Sequence, residues 1–312
     1  MKNINNDSRK PNVLKTYQDL FFKFLFTFSA LISSLMIIVI IIFIAQKGIS
    51  PFLSNYQYGQ QNIINFLTGM VWRQDQAQYG VAFIIINTVI SGFASLSIAF
   101  PISVLTALFV VKIAPKPIGS FIESAIEILA SIPSVVYGVF AVGFIVPLIQ
   151  SLAEIFKVQT AGGSSLLAVI ILLSIMILPT ITSISITAIK AVDIDLEKAS
   201  YALGASKTQT NFKIVLNSAK SGIFAGAILG LGRAFGEATA VSMVAGNKMF
   251  GPTLNLFDIT RTMTSTMLAG LKETTGLDYD IRFSVGLVLM GVILISNLAI
   301  NFVKNRVGKN HA

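Results

Sequence analysis

The stretch ILGLGRAFGEATAVSMVAGN, Ile228–Asn247, places Arg233 and Glu237 inside a run otherwise built of small and apolar residues. A helix on a soluble core keeps one polar face, whereas a run that is apolar all round belongs in lipid. Read as one span from Gly222 to Ala245, the segment is about 36 Å long at 1.5 Å per residue, which puts Arg233 close to the bilayer midplane. An arginine there costs about 2.5–3.5 kcal/mol to insert, so the side chain is expected to face the protein interior or an aqueous path rather than lipid. Glu237 follows four residues later on the same helical face, where the two can pair. Two readings stay open: an ion pair that fixes helix packing, or a transport path. On a path, the arginine fork holds an oxyanion such as phosphate, and the carboxylate competes with the anion so that binding remains reversible.

Composition supports the membrane setting. Hydrophobic residues make up 54% of the chain and charged residues 12%, against about a quarter charged in a soluble domain, so the excess apolar surface requires lipid. The formal charge of +9 raises nucleic acid as a partner, but the basic residues gather in tails and loops, where an anionic membrane surface explains them better. No cysteine is present and the one histidine is His311, which leaves no basis for disulfides or for thiolate or imidazole metal sites. No cofactor is expected.

Six apolar runs read as membrane helices: Phe24 to Ala45, Val81 to Val111, Phe121 to Leu152, Ser164 to Ile189, Gly222 to Ala245 and Arg282 to Val303. The first is too long for the ~7–15-residue core of a cleaved signal and should remain in the protein. Lysine and arginine concentrate in the N-terminal tail (Lys2, Arg9, Lys10, Lys15, Lys23), the Lys112 and Lys116 turn, the Lys190 to Lys220 segment and the C-terminal tail. By the positive-inside rule these are cytoplasmic, with both termini inside. The external segments fit less cleanly: the first loop has Lys47 and Arg73 with Asp75, and the last has Lys248, Arg261, Lys272 and Arg282 balanced by Asp258, Glu273, Asp278 and Asp280. Trp72 suits an interfacial anchor. Pro101, Pro133, Pro147 and Pro179 interrupt apolar runs, and SIPSVVYG, Ser131–Gly138, is the preferred point for a broken helix, because it adds serines, a tyrosine and a glycine around its proline.

The glycines of GLGRAFG do not form a dinucleotide fingerprint: from Gly230 the spacing is G-x-G-x-x-x-G and no strand precedes it. Gly222, Gly226 and Gly230 instead form a small-residue stripe suited to close helix contact. Between the fourth and fifth spans, DIDLEKASYALGASKTQTNFKIVLNSAKSG, Asp193–Gly222, reads as two short helices. Asp195 is placed to cap the first, Gly204 to end it, and Ser206 with Gln209 to box the second. Glu123 and Glu127 read as helix-end or partner contacts.

The segment KASYALGASKTQTNFKIVL resembles the EAA loop of binding-protein-dependent ABC importer permeases. Aligned on Gly204, the residues Lys198, Ala199 and Ser200 fill the E-A-A positions, Glu197 carries the displaced acid, Ile214 and Leu216 match, and Asn217 stands where proline is usual. Together with IPSVVYG, MILPTI and GLGRAFGEATAVSMVAGN, the resemblance narrows to phosphate-specific permeases of the PstC type. It implies an all-α integral membrane protein with six transmembrane helices, the type-1 ABC importer permease fold, and a cytoplasmic coupling-helix loop. It divides the chain into residues 1–80 (tail, first helix and external loop), a permease domain over 81–303, and a tail over 304–312.

The resemblance further implies a bacterial inner-membrane importer half whose partners are a PstA-like second permease, a PstB-like ATPase dimer and a PstS-like extracytoplasmic phosphate-binding protein. Arg233 and Glu237 become the substrate contacts; Glu197, Lys198, Ala199, Ser200, Gly204, Ile214 and Leu216 become the ATPase-coupling set. The sequence contains no G-x-x-x-x-G-K-[ST] loop, so ATP hydrolysis is expected on a separate chain. The alternatives are the sister PstA-type permease, a secondary transporter or channel for an oxyanion, and a membrane-embedded enzyme, for which no triad spacing or metal set is evident.

Overall fold

The computed structural model describes residues 13–309; Lys2, Arg9, Lys10 and His311, which carry part of the tail reading, lie outside them. Among the described residues the helices are α1 (Val13–Ile49), α2 (Ile63–Thr68), α3 (Ala82–Ile113), α4 (Lys116–Ser131), α5 (Ser134–Ile155), α6 (Leu166–Lys190), α7 (Ile194–Ala202), α8 (Lys207–Gly236), α9 (Thr239–Val244), α10 (Met263–Leu268) and α11 (Leu277–Lys309). Six of them, α1, α3, α5, α6, α8 and α11, are long and apolar enough to cross a membrane. The one sheet among the described residues is a two-stranded hairpin, β1 (Trp72–Arg73) against β2 (Gln78–Tyr79), with Trp72 opposite Tyr79.

Helix α6 is the axis of the bundle. Its start is fixed by Ser165, whose hydroxyl accepts the Ala168 N–H, and by the loop carbonyls of Asp258 and Leu256, which accept the next free N–H groups, of Leu166 and Leu167, at 2.9 Å each. These are among the donors a helix N-terminus leaves unpaired. Leu172, Leu173, Met176, Ile177 and Ile181 of α6 are buried together with Ala99 of α3, Ile149 of α5 and Ala234 of α8. The glycine stripe of α8 does what its spacing suggested. A Cβ on Gly222 would lie 2.5 Å from Ala188 Cβ, and one on Gly230 would lie 2.7 Å from the Ile181 side chain. Only a missing side chain lets α8 and α6 approach this closely.

Helix α1 stays outside this core, with apolar residues exposed along most of its length, as a helix facing lipid requires. Its far turn alone is fastened, by Phe43 against Phe283 of α11 and by the Ser284 hydroxyl on the Gly48 carbonyl at 2.7 Å.

Five sequence expectations are revised. The third run, Phe121 to Leu152, is two helices, α4 and α5, that part at Ile132–Pro133, so SIPSVVYG is a true break. Pro101 and Pro179 remain inside continuous α3 and α6, and Pro147 follows a π turn at Ala141–Ile145. The fifth span is Lys207–Gly236, shifted back from Gly222–Ala245, because the backbone turns extended at Glu237 (ψ 116°). Trp72 is not an interfacial anchor: it is buried, edge-on to Tyr79, and its backbone N–H donates to the Met249 carbonyl. The cap of α7 is Asp193 rather than Asp195, whose own N–H it receives. The Ser206–Gln209 capping box forms as expected.

Candidate functional site

Two breaks meet inside the bundle. The first turns of α5, after Pro133, pack against α9, which follows the break at Glu237: a Cβ on Gly138 would lie 3.0 Å from Ala240 Cα and 2.6 Å from Met243 Sδ. Tyr137 is buried here and its hydroxyl donates across the first break to the Leu129 carbonyl at 2.8 Å. Broken helices are tolerated at membrane depth where they are covered by protein or line a cavity.

Arg233 is in the last turn of α8, beside this meeting point. A cation is favoured there because the last carbonyls of the helix have no intrahelical partner. It is half-buried and its Nη1 donates to Thr180 Oγ1 of α6 at 2.9 Å. Thr180 follows Pro179 directly, so all three helices present an irregular or proline-bearing turn at one level. Among the described residues Arg233 makes no ion pair.

The expected pairing with Glu237 is therefore absent, and the reason is local. Residues four apart share a face only while the helix continues, and α8 ends at Gly236. The Glu237 carboxylate instead accepts the Ala240 N–H at 3.0 Å, closing the first turn of α9, and its carbonyl accepts the Thr264 hydroxyl at 2.7 Å. Glu237 thus ties together the break, α9 and α10. An oxyanion reaching Arg233 meets a guanidinium with free donors and no bound carboxylate.

The α7–α8 hairpin occupies one end of the bundle. Its residues divide by direction. Glu197 is buried and forms a close ion pair with Lys112, on the π turn Phe109–Ile113 that ends α3. Ser200 is also buried, and its hydroxyl lies 2.9 Å from that of Thr210 on the π turn opening α8. Ile214 and Leu216 are half-buried behind the hairpin. Lys198, Ala199 and Gly204 face outward, Lys198 pairing with Asp195 at 2.8 Å. The outward face also carries Ile194, Leu196, Tyr201 and Leu203, the last 90% exposed. Sequence reasoning did not single these four out, although a leucine between a helix end and a positive-φ glycine was a signal for an apolar tip. Nearby, Lys190 of α6 reaches Glu123 of α4 at 2.7 Å, which gives Glu123 the helix-end role expected of it; Glu127 is exposed.

At the opposite end, the loop after α9 folds back over the bundle. It pairs Gly246 with Thr260 and Val71 with Phe250, and brings Arg261 and Arg282 inside. Arg282 donates to the carbonyls of Asp278, Thr266 and Ala269. Burial first, and then the neighbouring Arg282 charge, pull the Arg261 guanidinium down to about 10, which leaves it cationic at neutral pH.

Comparison with known proteins covers most of the chain. The model of the family described as "Binding-protein-dependent transport system inner membrane component" matches residues 80–309. The chain is 37% identical over 284 residues to the probable ABC transporter permease protein YqgH of Bacillus subtilis, covering 90% of this chain and 89% of that one. It is 33% identical over 263 residues to the phosphate transport system permease protein PstC of Pasteurella multocida, covering 78% and 82%. Among solved structures, a chain of a bacterial alginate ABC transporter, crystallised in complex with an alginate pentasaccharide-bound periplasmic protein, superposes with a TM-score of 0.64. The two are 15% identical, over 95% of this chain and 98% of that one. A chain of the inward-facing MetNI methionine ABC transporter gives 0.54 at 18% identity, over 73% and 94%. These two superpositions show the type-1 ABC importer permease fold.

Proposed function

Because this chain belongs to the family of binding-protein-dependent transport system inner membrane components, we infer that it is the permease subunit of an ATP-driven importer that moves inorganic phosphate across the bacterial inner membrane. The observation that carries the substrate is the similarity to PstC proteins over more than three quarters of the chain. The placement of Arg233 beside two broken helices supports it chemically, since a guanidinium without a carboxylate partner is a receptor for an oxyanion.

In this reading residues 81–303 form the transport unit and the α7–α8 hairpin lies in the cytoplasm with both termini, as the basic residues of that end favour. Arg233 is the anion contact. Glu237 shapes the turn beside it, and the carboxylate near the path limits how tightly the anion is held. The outward apolar tip at Tyr201 and Leu203 and the neighbouring Lys198, Ala199 and Gly204 dock a PstB-like ATPase dimer. Glu197, Ser200, Ile214 and Leu216 act from behind, holding the hairpin to α3 and α8. A PstA-like subunit completes the path and a PstS-like binding protein delivers phosphate to the end opposite the hairpin.

The test is reconstitution. Co-expressed with a PstA-like permease and a PstB-like ATPase and placed in proteoliposomes with binding protein outside and ATP inside, the complex is expected to accumulate labelled phosphate, and to accumulate sulfate at background rate. ATP-dependent sulfate uptake without phosphate uptake would refute the substrate.

A further inference from the structure

At the end opposite the hairpin Glu154, Lys157, Lys272 and Glu273 are exposed to solvent, and the remaining charges can be followed one by one. Lys248 is closely paired with Asp258. Asp280 pairs with Lys47 at 3.2 Å and accepts the Tyr56 hydroxyl at 3.0 Å. Asp278 accepts the Tyr79 hydroxyl and lies close enough to Arg282 to act on its charge. Arg73 and Asp75 pair at the surface. Arg261 is left: it is 7% exposed, has no carboxylate partner among the described residues, and its one hydrogen bond runs from Nη2 to the Asn247 carbonyl at 3.3 Å. Its Nε is buried without a partner.

Three side-chain atoms on residues linked to Arg261 through this loop share that condition. Asn87 Nδ2, Asn247 Oδ1 and Thr260 Oγ1 are also buried and unpartnered. They belong to one network: Asn87 Oδ1 accepts the Thr253 N–H at 2.8 Å, Thr253 Oγ1 donates to the Ile259 carbonyl at 2.9 Å, and Thr260 N–H donates to the Ala245 carbonyl beside Gly246 and Asn247. A buried charge without a counter-charge strongly destabilises a fold, and each unpartnered polar atom adds to the cost. Water would satisfy the atoms but not the charge. An oxyanion satisfies both, accepting from the guanidinium, the amide and the hydroxyl. The acceptor Asn247 Oδ1 suits an oxyanion that keeps a proton to donate, as hydrogen phosphate does and sulfate does not.

We propose that Arg261, Asn87, Thr260 and Asn247 form a second oxyanion subsite, which protonated inorganic phosphate occupies before it reaches Arg233. This rests on the phosphate-importer reading, and deepens it by naming a site on the delivery side of the path.

The sharpest variant is Asn247→Asp. Asn247 sits at φ 52°, a left-handed conformation that aspartate also tolerates, and the change is nearly isosteric while placing a carboxylate on the residue that Arg261 already touches. In the reconstituted complex, Asn247→Asp is expected to assemble with unchanged or raised Tm and to lose uptake by at least about tenfold, because the site is filled from within. Wild-type uptake in Asn247→Asp would overturn the subsite and make Arg261 a structural charge. A second measurement does not depend on turnover. In an Arg233→Gln background the purified complex should gain Tm with millimolar inorganic phosphate and lose that gain on adding Arg261→Gln. A gain given by anionic phospholipid and not by phosphate would assign the site to a headgroup and refute the proposal, as would an unchanged gain in the double variant. If wild-type complex shows the phosphate-dependent Tm gain but no phosphate uptake, the transport reading fails and the site stands.

Discussion

At the hairpin end, Glu197 faces Lys112 and Glu123 faces Lys190, so these two lysines each meet a carboxylate from another helix. Where the broken helices cross, Arg233 has a threonine hydroxyl and no carboxylate, and beyond it Arg261 has a backbone carbonyl. Both regions hold cations against the protein; lysines are paired in the first and arginines left without a carboxylate in the second. A paired charge fastens one helix to another and has little left for a ligand, whereas an unpaired guanidinium in a protected site keeps its donors for an anion. In the proposed function, the end assigned to the ATPase is thus fastened, and the region assigned to substrate is left electrostatically incomplete.

The largest effect should come from the unpaired side. Arg233→Gln is expected to lower phosphate uptake about 100-fold, since a contact to a charged group is worth about 1.5–3 kcal/mol and here it acts at the path. Complex yield should change little, because the one hydrogen bond lost is to neutral Thr180. A large fall in yield with residual uptake per complex near normal would move Arg233 to the fastened class.

The paired side should respond in the opposite sense. Lys112→Met leaves Glu197 buried without its counter-charge, and the complex should lose about 2–3 kcal/mol of stability, below the ~3–5 kcal/mol of a fully buried pair because Lys112 keeps some solvent access. The double variant Lys112→Met with Glu197→Gln should recover at least half of that loss in a thermal-melt cycle. Strictly additive losses would show that the two do not act together. Loss of ATPase copurification from Glu197→Gln at normal stability would make Glu197 an outward contact after all.

A smaller effect separates the hairpin's shape from its surface. Gly204 has φ 83°, and a Cβ placed on it would meet no atom within 4 Å, so Gly204→Ala should cost only about 1 kcal/mol through backbone strain. Gly204→Asp carries the same strain and adds a charge beside exposed Leu203. ATPase copurification should therefore fall clearly further in the aspartate variant. Equal losses in the two would leave shape alone as the determinant.

Much of this was legible in the sequence because it follows from short-range rules. Hydropathy gave the six crossings, the glycine stripe of α8 gave the close contact with α6, and Pro133, flanked by small polar residues, gave the first break. The second break carries no proline. The chain turns at Glu237 because Glu237 and Thr264 find partners in α9 and α10, and such tertiary hydrogen bonds leave no periodic trace, so the Arg233–Glu237 pair was expected where none forms. Thr180 stood within MILPTI but was not singled out, since its role depends on α8 ending beside it. Arg261 was hidden by counting. Basic and acidic residues of the last loop balance in number, yet Asp280 is taken by Lys47 and Tyr56 from the other end of the sequence, and Asp278 by Tyr79.

The central claim is that Arg233 acts on substrate and not as half of an ion pair, and exchanging the two charges tests it most directly. In the variant Arg233→Glu with Glu237→Arg, measured at matched abundance in proteoliposomes, phosphate uptake is predicted to stay as low as in Arg233→Gln, because Glu237 lies beyond the helix end and cannot present a guanidinium to the same place. Recovery of uptake to the wild-type rate in the exchanged variant would contradict the account.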